Sequence, residues 1–133
     1  MGQVIVLDAS ALVDLVLGQR DAGFLATHIN SGPICAPSHQ PSEVLSALAR
    51  MQRADELTDR ACRVAAEAAM ALPQELVLPS SSHVQRALAL SPGVRVADGL
   101  YVALAEERRC PLLTTDLRLA RSVSTCEVLS PTA

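Results

Sequence analysis

Asp8, Glu43, Asp98 and Asp116 are acids set among apolar neighbours, where a carboxylate is costly unless something compensates it. Asp8 closes the run "VIVLD" and Asp116 ends "PLLTTD". Glu43 opens an apolar segment in "PSEVLSAL". Asp98, in "VADGLYVAL", shares a helical face with Tyr101, Val102 and Ala105, a neighbourhood foreign to a solvated face. Singly, each acid has a structural reading, as a helix N-cap for Asp8 and Asp116 or as dipole chemistry for Glu43. Together they are different, because like charges held close do not all stay ionised without a counter-ion. A hard divalent cation supplies one, and Mg²⁺ or Mn²⁺ is favoured over zinc because no His or Cys accompanies the acids. Sparse carboxylate ligation leaves positions for water, a ready nucleophile for phosphodiester cleavage.

Such a site needs a scaffold that brings positions 8, 43, 98 and 116 together. Residues 3–7 read as a strand buried on both faces. A helix follows from about 11 to 17, with Ser10 as N-cap and Gly18 at its end. "DAGFLATHIN" predicts a short helix closed by Asn30 to Pro33, and "PICAP" a strand between prolines. A strong helix spans about 40–53, with Val44, Leu45, Leu48 and Met51 at core spacing, and an alanine-rich one spans 56–71 before Pro73. "ELVLP" reads as a third strand, "SSSHVQRALAL" as a serine-capped helix, and 96–109 as a helix after a loop. "PLLTTD" is a fourth strand, "LRLAR" a short helix, and "CEVL" a fifth strand before a polar tail. This alternation predicts one α/β domain over residues 1–133, a parallel sheet with helices on both faces. Ligands bind such folds beyond the carboxyl ends of the strands, where Asp8 and Asp116 fall.

Composition narrows the partners. With one Phe, one Tyr and no Trp, base stacking on aromatic platforms is nearly closed to this chain. The formal charge is −3 and every basic residue is an arginine, so no bulk field attracts nucleic acid. Setting the four carboxylates aside as cation ligands turns −3 into +1. Arg95, Arg118 and Arg121 flank the acids and are the candidates for phosphate contact; Arg50 and Arg53, further along the Glu43 helix, read as a solvated face, as does Asp14. Cys35, Cys62, Cys110 and Cys126 form no CxxC pair and read as reduced, buried thiols of a cytoplasmic protein. No apolar run approaches the ~18 residues of a membrane span.

The segments "VLDASALVDL", "APSHQPSEVLSAL", "VADGLYVALAEE" and "LLTTDLRLA", in that order, resemble the PIN domain, most closely the VapC-type toxins of bacterial VapBC toxin–antitoxin pairs. The likeness runs from residue 3 to about 129. It implies a five-stranded parallel sheet of order 3-2-1-4-5 with its switch point between strands one and four. By the same likeness Asp8, Glu43, Asp98 and Asp116 match the acidic quartet, Ser10 the small hydroxyl residue, and Thr114 or Thr115 the supporting threonine. It further implies a Mg²⁺-dependent endoribonuclease acting on tRNA or ribosomal RNA, a cognate VapB-type antitoxin that holds it inactive, and a homodimer. Gly99 departs from the pattern, standing where alanine is common, and reads as a tolerated local weakness costing about 1 kcal/mol.

On this reading Asp8, Asp98 and Asp116 hold one Mg²⁺ or Mn²⁺, while Glu43 is either a ligand or the base that deprotonates the attacking water. Ser10, Thr114 and Thr115 orient the carboxylates by hydrogen bonds. The groove beside helices 40–53 and 56–71 is the expected landing place of an antitoxin helix. The rival from another class is a non-catalytic PIN-like module that binds RNA or protein. A receiver domain would need a lysine near the last strand, and a DxDxT phosphatase a second Asp where Ser10 stands.

Overall fold

In the computed structural model, which describes residues 3–131, strand β1 (Ile5–Leu7) is buried on both sides. Ile5 and Leu7 join one core cluster and Val6 the other, as the two-residue period of a strand requires. Parallel partners flank it: β2 (Ile34–Pro37) on one side and β4 (Leu112–Leu113) on the other. Outside these lie β3 (Glu75–Val77) and β5 (Val128–Leu129), giving the order β3-β2-β1-β4-β5 with every neighbour parallel. The strand order therefore reverses beside β1, and Asp8 and Asp116 leave the sheet on either side of that reversal.

Helices α1 (Ala9–Val16), α2 (Ala22–Ile29), α3 (Gln40–Arg53) and α4 (Asp59–Ala71) cover one face, contributing Leu12, Leu25, Val44, Leu48 and Ala65 to its core. Helix α6 (Val96–Arg108) covers the other with Tyr101, Val102 and Leu104, backed by α5 (Ser81–Leu90) and joined by Leu119 of α7 (Leu117–Ser122). Among the described residues no helix is long and apolar enough to cross a membrane. The expected domain over 1–133 includes residues 1–2 and 132–133, which lie outside the described ones.

The local expectations fail in informative places. Ser10 is not the N-cap of α1, because the helix already begins at Ala9 and Asp8 holds the cap position without a side-chain cap bond. The Ser10 hydroxyl serves the Asp8 carboxylate rather than the first N–H groups of α1. Helix α4 starts at Asp59 rather than 56, since the Thr58 hydroxyl accepts from the Ala61 N–H and fixes the first turn there. Leu45, expected in the core, is 44% exposed. The thiols are free, but only Cys35 and Cys110 are buried, with Cys62 and Cys126 half-buried.

One polar contact sets α3 against the sheet. Gln40, wholly buried, donates from Nε2 to the Leu7 carbonyl at 3.1 Å and to Gln74 Oε1 at 3.0 Å, and Gln74 donates back to Gln40 Oε1 at 2.8 Å. This reciprocal amide pair satisfies buried groups and ties the first turn of α3 to the residue preceding Asp8.

Gly99 is also not a weakness. A Cβ there would stand 3.1 Å from the Ala87 Cα and 3.3 Å from its carbonyl oxygen, so the missing side chain is what lets α5 and α6 approach. Helix propensity alone makes Gly99→Ala stabilising by about 1 kcal/mol, whereas overpacking against backbone costs about 1–3 kcal/mol. We expect a net loss, read as a lower urea midpoint at unchanged m; a higher midpoint would show that α5 yields freely.

Candidate active site

Asp8 comes off β1 between two hydroxyls. Ser10 Oγ donates to its Oδ2 at 2.6 Å and Thr114 Oγ1 donates to the same oxygen at 2.7 Å. The strands impose this meeting, because Leu7 is in register with Leu113 and the Asp8 N–H bonds the Leu113 carbonyl. Burial pushes the Asp8 carboxyl above its ordinary range; the two hydroxyls oppose the shift, and the charges of Asp98 and Glu43 add to it. Both hydroxyl bonds go to Oδ2, which leaves Oδ1 for the cleft.

That cleft, about 290 Å³, is lined by Asp8, Ser10, Asp14, Glu43, Asp98 and Asp116, with Arg50 and Arg95 among its cations. All four sequence-selected acids share it. Thr114 is fully buried and, besides Asp8, serves the Asp116 N–H at 3.0 Å. Thr115 donates its backbone N–H to Ser10 Oγ at 3.2 Å. Asp116 does cap α7, its Oδ1 accepting from the N–H groups of Arg118 and Leu119, so Oδ2 is the oxygen left over.

The cations divide differently from expectation. Arg95 donates from Nε to Asp98 Oδ2 at 3.1 Å and from Nη2 to Oδ1 at 3.4 Å. Arg118 is 70% exposed, with Nη2 4.0 Å from Asp116 Oδ2, and shares a small side recess with Arg95 and Asp98. Arg121 is exposed and lines neither cavity. Arg50, read as part of a solvated face, lines the cleft instead. So does Asp14, half-buried rather than solvent-facing; burial raises its carboxyl pKa and a Thr115 side-chain hydrogen bond opposes the rise.

Two residues of the site escaped the sequence reading. Tyr101, fully buried, donates its hydroxyl to Glu43 Oε1 at 2.7 Å. Burial and then the Glu43 and Asp8 charges hold the phenol far above its ordinary pKa, so it stays a donor. His39 packs edge-on against the Tyr101 ring, with centroids 5.1 Å apart, and its Nε2 faces the Ala97 carbonyl at 3.1 Å and Glu43 Oε1 at 3.4 Å. Two acceptors assign the hydrogen to Nε2; Nδ1 is buried without a partner. The available signal was position: His39 lies one helical turn before Glu43, and Tyr101 one turn after Asp98.

The uncommitted oxygens, Asp8 Oδ1, Glu43 Oε2 and Asp116 Oδ2, are hard donors that suit a Mg²⁺- or Mn²⁺-sized ion. The buried Asp8 charge, only partly met by hydroxyls, is the demand such an ion answers. Among the described residues no three His, Cys, Asp or Glu side chains are drawn into a ready-made metal cluster. Arg95 occupies both oxygens of Asp98.

A family model described as the PIN domain matches residues 5–123. The chain is 40% identical over 119 residues to Ribonuclease VapC3 of Mycobacterium tuberculosis, covering 89% of this chain and 86% of that one. It is 37% identical over 119 residues to Ribonuclease VapC12 of the same organism, covering 90% and 92%. In fold it resembles VapBC2 from Rickettsia felis, solved bound to a DNA fragment from their promoter, with TM-score 0.69, 11% identity and coverage of 97% and 99%.

Asp8 generates a stability prediction. Its folded pKa lies above the unfolded 3.8, so the stability tied to its proton is present at low pH and lost as pH rises through the folded value. Asp8→Asn keeps an acceptor for Ser10 and Thr114 and removes the buried charge. In EDTA at neutral pH it is expected to raise Tm, by about 2–4 °C per kcal/mol relieved, and to flatten the acid-side rise. A lower Tm at neutral pH would mean that the charge is already compensated.

Proposed function

The chain belongs to the PIN-domain family, among the VapC ribonucleases, and from that premise we propose that it is a Mg²⁺- or Mn²⁺-dependent endoribonuclease toxin that cuts tRNA or ribosomal RNA and is held inactive by a VapB-type antitoxin. We take residues 1–133 as one domain, working in the cytoplasm as a homodimer. One observation carries the reading: a single cleft at the carboxyl edge of the sheet gathers Asp8, Glu43, Asp98 and Asp116.

Asp8, Asp98 and Asp116 would hold the divalent ion, which when bound neutralises the clustered carboxylates and polarises the scissile phosphate and its attacking water. Ser10 and Thr114 fix one face of Asp8, so only Oδ1 is offered. Tyr101 pins Glu43 Oε1 and leaves Oε2 to take a proton from water entering the cleft. The pinned carboxylate is thereby restricted in rotamer, which preserves its aim. Arg50, Arg95 and Arg118 offer guanidinium groups for flanking phosphates. With no Phe, Tyr or Trp lining the cleft among the described residues, recognition falls to RNA shape and backbone position.

The decisive assay incubates purified protein with total tRNA and ribosomal RNA in Mg²⁺, Mn²⁺ or EDTA and maps new ends by sequencing. Discrete metal-dependent cuts are expected. Asp98→Asn should fold normally and lose more activity than the ~10–100-fold typical of removing a supporting residue. No cuts in any metal from folded, partner-free protein would favour the non-catalytic binding module. Tyr101→Phe retains the ring packing and frees Glu43; its cleavage rate should fall about 10–100-fold at nearly unchanged Tm. Unchanged cleavage would remove Tyr101 from the positioning of Glu43.

A further inference from the structure

Asp98 is the one quartet acid with both oxygens taken by a cation. It is nearly buried, its side chain 8% exposed, while the Arg95 side chain that forks onto it is 65% exposed. Arg95 precedes the first helical residue of α6 and Asp98 lies in the first turn. The guanidinium therefore reaches forward along the first turn into the cleft from a side chain that stands largely in solvent. No other acceptor holds it among the described hydrogen bonds. The charges of Glu43 and Asp116 also act on it, so it sits in the field of three of the four acids.

The other candidate cations do not compete for this role. Arg118 reaches Asp116 only at 4.0 Å, and the capping bonds of Asp116 come from backbone. Arg50 lines the cleft without an ion pair or hydrogen bond among the described contacts. Arg95 lines both the main cleft and the side recess it shares with Arg118 and Ser122. Released from Asp98, its head has this recess beside it. An ion pair with so exposed a partner is weak, so the fork is held loosely enough to be exchanged.

We propose that Arg95 is a tethered counter-ion: it occupies Asp98 while no divalent ion is bound, and ion binding releases it to meet an RNA phosphate. The proposal rests on the metal-nuclease reading above and deepens it. The same side chain then serves two anions in sequence. Its availability to RNA is coupled to whether the site is loaded, as linkage between two ligands for one group demands.

The test needs no RNA. Mn²⁺ is titrated calorimetrically into metal-free protein for the wild type, Arg95→Met and, as a charge control outside the cleft, Arg121→Met. In parallel the Arg95 Nε–H resonance is followed by ¹⁵N NMR as Mg²⁺ is added, assigned by its absence in Arg95→Lys. Arg95→Met should bind Mn²⁺ roughly two- to fivefold more tightly, Arg121→Met should match the wild type, and the Nε–H signal should shift and lose its protection at saturation. Equal affinities for Arg95→Met and wild type would overturn the proposal. So would an Nε–H signal that stays put while the Asp98 amide responds to Mg²⁺. Absence of heat in all three proteins, with no Mg²⁺ response at Asp98, would overturn the metal-nuclease reading itself and the proposal with it.

Discussion

Everything at this site follows from holding the Asp8 carboxylate, almost out of water, at the exit of the central strand. The two hydroxyls on Oδ2 make that burial tolerable without neutralising it. The arrangement is possible only because β1 and β4 are adjacent and parallel, so that both chains leave the sheet at the same edge. The Asp8 charge is left partly uncompensated, while each neighbouring acid is met separately: Asp116 by backbone N–H groups, Glu43 by the Tyr101 phenol and Asp98 by the Arg95 guanidinium. A site built this way is poised for a cation because the fold has stopped short of satisfying it.

Packing elsewhere makes that frustration affordable. Both faces of β1 are covered by aliphatic clusters, and burial of each large side chain contributes about 1.5–3 kcal/mol. The buried Gln40–Gln74 pair then fixes the register of α3 on the sheet, so that Glu43 one turn later meets Tyr101 of α6. Position at the site is thus set by three rigid elements and two amides rather than by a flexible loop, which suits chemistry that depends on aim.

Much of this was legible in the residue order. Strand exits and apolar helix starts announce Asp8, Asp116 and Asp98 because a charge in an apolar run has few structural excuses. The alternation of strands and helices likewise announces the parallel sheet, and the order 3-2-1-4-5 came from resemblance. What stayed hidden depends on contacts between elements distant in the chain. Tyr101 looked like one more core residue on an apolar helix face, since nothing nearby in sequence says that α3 will bring a carboxylate to its hydroxyl. Asp14 and Arg50 looked solvated because a cleft wall is only a half-exposed helix face until the opposite wall exists. Ser10 was misread in a simpler way: the spacing fits an N-cap, but a neighbouring buried carboxylate outcompeted the backbone for its hydroxyl.

The contact between Gly99 and Ala87 has a consequence for inheritance. The two positions share one small volume in which only one Cβ fits comfortably. A relative that carries alanine at the first position has to give ground at the second, by a glycine or by a wider gap between α5 and α6. Substitutions there should therefore travel in pairs through the lineage. The residue immediately after a candidate metal ligand is then free to vary only in step with a helix that never touches the cleft.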